Sequence, residues 1–220
     1  MLNTRVHLIT LIILLAAVEG IIAGCATSPS VPPPDAPQMA GPNWPPVGST
    51  WVTNAKNTGS FGNSATQVSW TLLGKKPFEG RELMVITNAV DTYYFSEQIN
   101  WIAHARGDAV LERGDPVVVN HDFPLFVGKR WSTNFTYQDL EHHRAPGRVH
   151  QDVVVETYEE VQTPAGRFKA FKITRAEPTY RITYWISPDL GIWVKWREER
   201  LGFNDRGLQE NELASYNFNK

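Results

Sequence analysis

Residues Thr179 to Ile186 alternate: Tyr180, Ile182, Tyr184 and Ile186 fall on one side, and Arg181, Thr183 and Trp185 on the other. A turn signal, Ser187-Pro188-Asp189-Leu190-Gly191, leads to a second alternation, with Ile192, Val194 and Trp196 against Trp193, Lys195 and Arg197. Period two on both sides of a proline and glycine turn predicts a β-hairpin. In a regular strand this spacing turns Trp193 and Trp196 to opposite faces. The same reasoning pairs Asp152 to Glu160 with Arg167 to Thr174 around Thr163-Pro164-Ala165-Gly166, where proline suits the first central turn position and glycine the last. Upstream, Gln67 to Leu73, Arg81 to Thr87, Asp91 to Phe95 and Ile99 to Ala103 read as strands. No long window in this region carries an apolar stripe at helical spacing. Leu208 to Tyr216 alone reads as either a short helix or a disordered tail.

The amino terminus follows another pattern. Arg5 precedes an apolar run from Leu8 to Val18, broken by Glu19. That run is well short of the roughly 20 residues a membrane-spanning helix needs and suits the core of an export signal. Ile22-Ala23-Gly24-Cys25 resembles the lipobox of bacterial lipoproteins. The resemblance implies cleavage before Cys25, acylation of its thiol, and, with Ala26 rather than aspartate next, sorting to the outer membrane, facing the periplasm. A plain anchor helix that happens to contain a cysteine is the competing reading. From Ala26 to Pro46 the chain carries eight prolines and almost no spaced apolar residues, the composition of an extended tether. A PxxP-type recognition segment explains it less simply. The predicted organisation is therefore a signal peptide over 1–24, a lipidated cysteine and tether over 25–46, a β domain over 47–205, and the short helix or tail over 206–220.

Composition narrows the function. Cys25 is the only cysteine, so the domain has neither a disulfide nor a thiolate metal site and must rest on its core. With 21 basic against 23 acidic residues, no global attraction to nucleic acid exists. Val47-Gly48-Ser49-Thr50-Trp51-Val52-Thr53-Asn54 recurs as Val127-Gly128-Lys129-Arg130-Trp131-Ser132-Thr133-Asn134, sharing V-G-x-x-W-x-T-N. The recurrence is consistent with two related halves, or with one local way of starting a strand used twice.

Phe123 to Trp131, Val161 to Ile173 and Tyr184 to Lys195 together resemble a family of uncharacterised bacterial secreted and lipoprotein β domains. That family carries P-L-x-V-G-x-x-W, P-A-G-x-F and S-P-x-x-G-x-V-K phrases and lies near the LolA and LolB envelope carriers. The resemblance implies a mainly β fold with little helix: a curved antiparallel sheet forming an open half-barrel. It is nearly silent about activity, because the shared positions are turn and packing residues.

Candidate chemistry is sparse. His142, His143 and His150 could converge on a metal only from a loop, and Arg144 and Arg148 stand among them. No G-x-S-x-G elbow accompanies His121-Asp122 or Asp189. Glu159-Glu160 and Glu198-Glu199 read as the solvent side of strands. Eight tryptophans, ten phenylalanines and seven tyrosines are more informative, because large rings fill the concave side of a curved sheet. Trp185, Trp193 and Trp196 are the candidates for an apolar groove or a surface aromatic patch. The expectation is a non-catalytic, membrane-anchored envelope lipoprotein without cofactor or metal. It binds an acyl chain, another hydrophobic ligand or an envelope protein; the alternative is an assembly lipoprotein docking through a strand edge, and a cell-envelope hydrolase is the least supported.

Overall fold

The structure, a computed structural model, describes residues 31–218. The expected signal peptide and lipidated Cys25 lie outside the described residues. No helix occurs among them; they form fourteen strands. A first sextet comprises β2 (Thr50–Gly59), β3 (Ser64–Phe78), β4 (Arg81–Thr87), β5 (Thr92–Phe95), β6 (Trp101–Arg106) and β7 (Ala109–Val118). The second comprises β9 (Arg130–Asp139), β10 (Gly147–Thr163), β11 (Gly166–Glu177), β12 (Tyr180–Ile186), β13 (Trp193–Gly202) and β14 (Asp205–Asn217). Two short strands, β1 (Gln38–Met39) and β8 (Leu125–Phe126), pair with each other.

The twelve long strands close into one antiparallel barrel in chain order. This corrects the expectation of an open half-barrel. The strand that closes it is β14, which pairs with β2 from Gly207↔Gly59 to Asn217↔Thr50. Its span covers the Leu208 to Tyr216 segment read as helix or tail. That segment hid because β14 is polar on both faces: Gln209 and Asn211 look into the barrel, so no apolar alternation marks it.

The two sextets repeat the same backbone devices. Gly48 and Gly128 both have left-handed φ, 87° and 91°. Each donates its N–H across the sheet, Gly48 to the Leu72 carbonyl at 2.8 Å and Gly128 to the Val155 carbonyl at 2.9 Å. Each receiving strand then bulges just beyond, between Leu72 and Gly74 or between Val155 and Thr157. A second matched bulge falls where β5 meets β6 and where β12 meets β13. The halves meet unequally, however: β7 pairs with β9 only from Glu112↔Asp139 to Asp115↔Thr136.

One end of the barrel is plugged. Segment 119–126 folds inward, with the Tyr184 hydroxyl donating to the Asn120 carbonyl at 2.5 Å and the Trp131 indole to the Val119 carbonyl at 2.9 Å. Met39, Leu125 and Phe126 are fully or nearly fully buried there. The carboxy-terminal part of the proline-rich stretch is thus docked rather than a free tether. Asn43 Nδ2 donates to the Pro188 carbonyl at 2.8 Å and Trp44 Nε1 to the Glu97 carbonyl at 2.9 Å. Gly191, at φ 68°, lies directly under this segment; a Cβ on it would stand 1.4 Å from the Asn43 carbonyl oxygen. Only glycine meets both demands.

Candidate functional site

The opposite end is a mouth formed by the hairpin turns after β2, β4, β6, β9, β11 and β13. Phe203, at the tip of the β13–β14 turn, is 92% exposed, and Val90 and Leu140 also show apolar surface on this rim. Strand register decides which side chains look inward. Tyr184 and Trp196 are cross-strand partners, as are Ile182 and Glu198, and Tyr180 and Arg200. Opposite them stand Trp70, Tyr93 and His104, with Tyr93 paired to His104 and its ring packed edge-on against Trp70 at 5.5 Å. Trp70, Tyr93, His104, Trp196 and Glu198 keep partial solvent access although the register turns them away from the outer surface, whereas Tyr184 and Ile182 are buried.

The floor of this lumen is aromatic. Trp193 and Trp196 lie 5.7 Å apart at 79°, Tyr184 stacks on Trp196 at 5.7 Å, and Phe95 lies 5.7 Å from Trp193. The expected opposition of Trp193 and Trp196 is overturned. The bulge in β13 sets Trp193 opposite Ile186 and Lys195 opposite Trp185, so Val194 is skipped and both tryptophans turn inward. Trp185 remains outside, its indole donating to Glu159 Oε1 at 2.7 Å between the ammonium groups of Lys172 and Lys195. The three tryptophans therefore do not form one patch.

The three histidine candidates are not brought together. His142 bonds Asp139 Oδ1 at 2.9 Å on the mouth's rim, and His150 bonds Asn134 Oδ1 at 2.7 Å on the outer face. His143 occupies a left-handed turn position, φ 52°. Among the described residues no cluster of histidine and carboxylate side chains has the spacing to hold a metal.

The walls carry charges that patterning hid. His104 sits between Asp91 and Glu112, each 3.6 Å away, with its ring stacked on Tyr93 at 4.5 Å. Burial opposes its protonation, but the Glu112 and Asp91 carboxylates outweigh burial and raise its pKa. Tyr93 is pushed up to about 12 by burial first and then by Asp91 and Glu112, so its phenolate is scarce at neutral pH. Glu198 is raised by burial against the Tyr180 hydroxyl that bonds it. Glu198, read as a solvent-side residue, is thus an inward one. Most buried of these charges is Arg175, 6% exposed and level with Glu198 in the strand register, whose Nη1 donates to Asn120 Oδ1 at 2.5 Å and Gln151 Oε1 at 3.3 Å. These groups can bind, orient and buffer a proton, and the phenols and carboxylates around His104 supply no activated nucleophile.

No protein-family model matches the chain, and no curated protein matches it. Among solved structures it is similar to the hypothetical lipoprotein YmcC from Escherichia coli, at 11% identity and TM-score 0.38, over 76% of this chain and 83% of that one. An exported protein with a YmcC-like fold from Bacteroides fragilis matches at 11% identity and TM-score 0.34, over 81% and 99%. A candidate lipoprotein from Parabacteroides distasonis matches at 12% identity and TM-score 0.36, over 79% and 97%. The likeness is distant, and at such scores the fold and function of this chain rest on its own sequence and geometry.

Proposed function

We propose that this protein is a non-catalytic envelope lipoprotein, anchored through Cys25 at the outer membrane, whose barrel holds a ligand with an apolar chain. The anchoring rests on the lipobox-like Ile22-Ala23-Gly24-Cys25 and on Ala26. The observation that carries the ligand reading is the set of inward aromatic rings, Trp70, Tyr93, Trp101, Trp193 and Trp196, that stay partly solvent-accessible inside a closed barrel. A core built only for stability would bury such rings fully, because each square ångström of apolar surface left wet forgoes about 25 cal/mol. Polar walls above an aromatic floor are the layout of a site that takes an amphiphile tail first.

The assembly alternative loses its basis along most of the sheet, since a closed barrel presents no free strand edge. Native mass spectrometry of the protein purified from its own host tests the ligand reading. Bound species of acyl-chain mass that leave on substitution of Trp196→Asp are the expected result. A protein that carries no such species and binds no alkyl probe would refute the reading.

A further inference from the structure

Arg175 is a buried cation whose hydrogen-bonding capacity the described protein only half uses. It looks into the barrel beside Ile182, its cross-strand partner, on the lumen side of the plug. It makes no ion pair among the described residues, although it is almost wholly buried. Its two hydrogen bonds both leave from Nη1; Nε is buried without a partner, and Nη2 makes no hydrogen bond to the described protein. The Nε–Nη2 edge is the side of a guanidinium that receives a carboxylate through two parallel bonds. A buried cation left without a counter-charge is costly, and proteins retain one where something else completes it. Glu198, two strands away, is bonded by Tyr180 and feels the Arg175 charge at a distance, but it makes no hydrogen bond to Arg175. Glu177 is likewise held by Gln151 Nε2 at 2.7 Å.

We propose that Arg175 binds the carboxylate of a fatty-acid-type ligand, whose chain lies along the aromatic floor. Asn120 joins the two parts: its side chain accepts from Arg175 and its carbonyl from Tyr184, which stacks on Trp196. A monoanion balances the single unpaired positive charge; a phosphate dianion would leave excess negative charge beside Glu198 and Glu177. This inference rests on the ligand reading above and adds the chemistry of the headgroup.

The test compares dodecanoate with dodecanol on the chain from Ala26 onward, which contains the whole described barrel, by tryptophan fluorescence and calorimetry. Dodecanoate should bind about 10- to 100-fold more tightly, the worth of hydrogen bonds to a charged group. Arg175→Met should erase that preference and leave dodecanol binding unchanged. Arg175→Lys keeps the charge without the fork and should lose most of it; it decides the matter where Arg175→Met does not fold. Equal binding of the two probes by the unaltered protein, or a full preference in either variant, overturns the headgroup assignment while leaving the lumen reading intact. Failure to bind either probe overturns both.

Discussion

His121 should make the barrel acid-sensitive in a way a single substitution removes. The ring is 1% exposed, between Phe123 at 5.7 Å, Tyr184 at 5.3 Å and Trp193 at 6.2 Å. Nδ1 lies 3.0 Å from the Ile99 carbonyl, which can only accept, so Nδ1 carries the proton and Nε2 is left bare in an aromatic pocket. Burial drives the pKa down from 6.5 to about 3, despite the Ile99 bond and with help from the Arg175 charge. A histidine with a depressed folded pKa costs nothing above its unfolded value. As pH falls below 6.5 the unfolded chain gains a proton that the folded one refuses, and stability drops until the folded pKa is reached. Each unit between those limits costs about 1.4 kcal/mol, so the loss is about 2 kcal/mol at pH 5 and levels off near pH 3. Urea unfolding followed by tryptophan emission from pH 8 to pH 4 measures it. His121→Gln keeps an N–H that can reach Ile99 and removes the titration, so its stability should fall less steeply, with the two curves parting by about 2 kcal/mol at pH 5. Parallel curves would show that His121 is not held neutral, and the plug's packing would need another account.

Other outcomes follow from single contacts. Gly191→Ala must displace the segment at Asn43, and we expect several kcal/mol of destabilisation together with faster proteolysis between residues 36 and 46; unchanged cleavage would mean that this segment is not docked. Glu198 titrates in the opposite sense from His121. Its folded pKa is raised, so its ionised form weakens the barrel at neutral pH and the penalty fades as pH falls through the folded value. Glu198→Gln should therefore stabilise at pH 7.5 and converge with the unaltered protein near pH 4, as unfolding at the two pH values would reveal. Cys25→Ala should fold normally yet lose acylation and stable membrane attachment, read by fractionation and mass spectrometry; attachment as firm as before would defeat the lipoprotein reading.

The parts of the fold legible in the sequence are those where one face is dry and the other wet. Tyr180, Ile182, Tyr184 and Ile186 bury the inner face of β12 against Phe171 and Ile173, so their alternation is clean and the hairpin with β13 falls where it is expected. Strand β14 borders water outside and the wet lumen inside, and gives no such signal. Closure of the barrel is therefore not legible in the sequence. Bulges are equally silent: nothing in Trp193-Val194-Lys195-Trp196 announces that one residue will be skipped. The site suffered most, because Arg175, Glu198 and His104 are polar residues pointing inward, where the usual rule assigns polarity to the surface. A hint was present in Glu198-Glu199, two carboxylates whose faces must differ, one of which had to look into the barrel.

The pairing of β14 with β2 also sets a sequence of events. The strand that begins the ring starts at Thr50 and the one that completes it ends at Asn217, so the barrel stays incomplete until β14 is present. Contacts of such sequence separation carry a closure cost that nearby hairpins do not, and they form late. On the lipoprotein reading, a chain threaded across a membrane amino terminus first would expose the proposed attachment site at Cys25 long before it could seal its wall. Attachment would then come first and the finished container second, with the growing sheet holding an open rim until the last strand arrives.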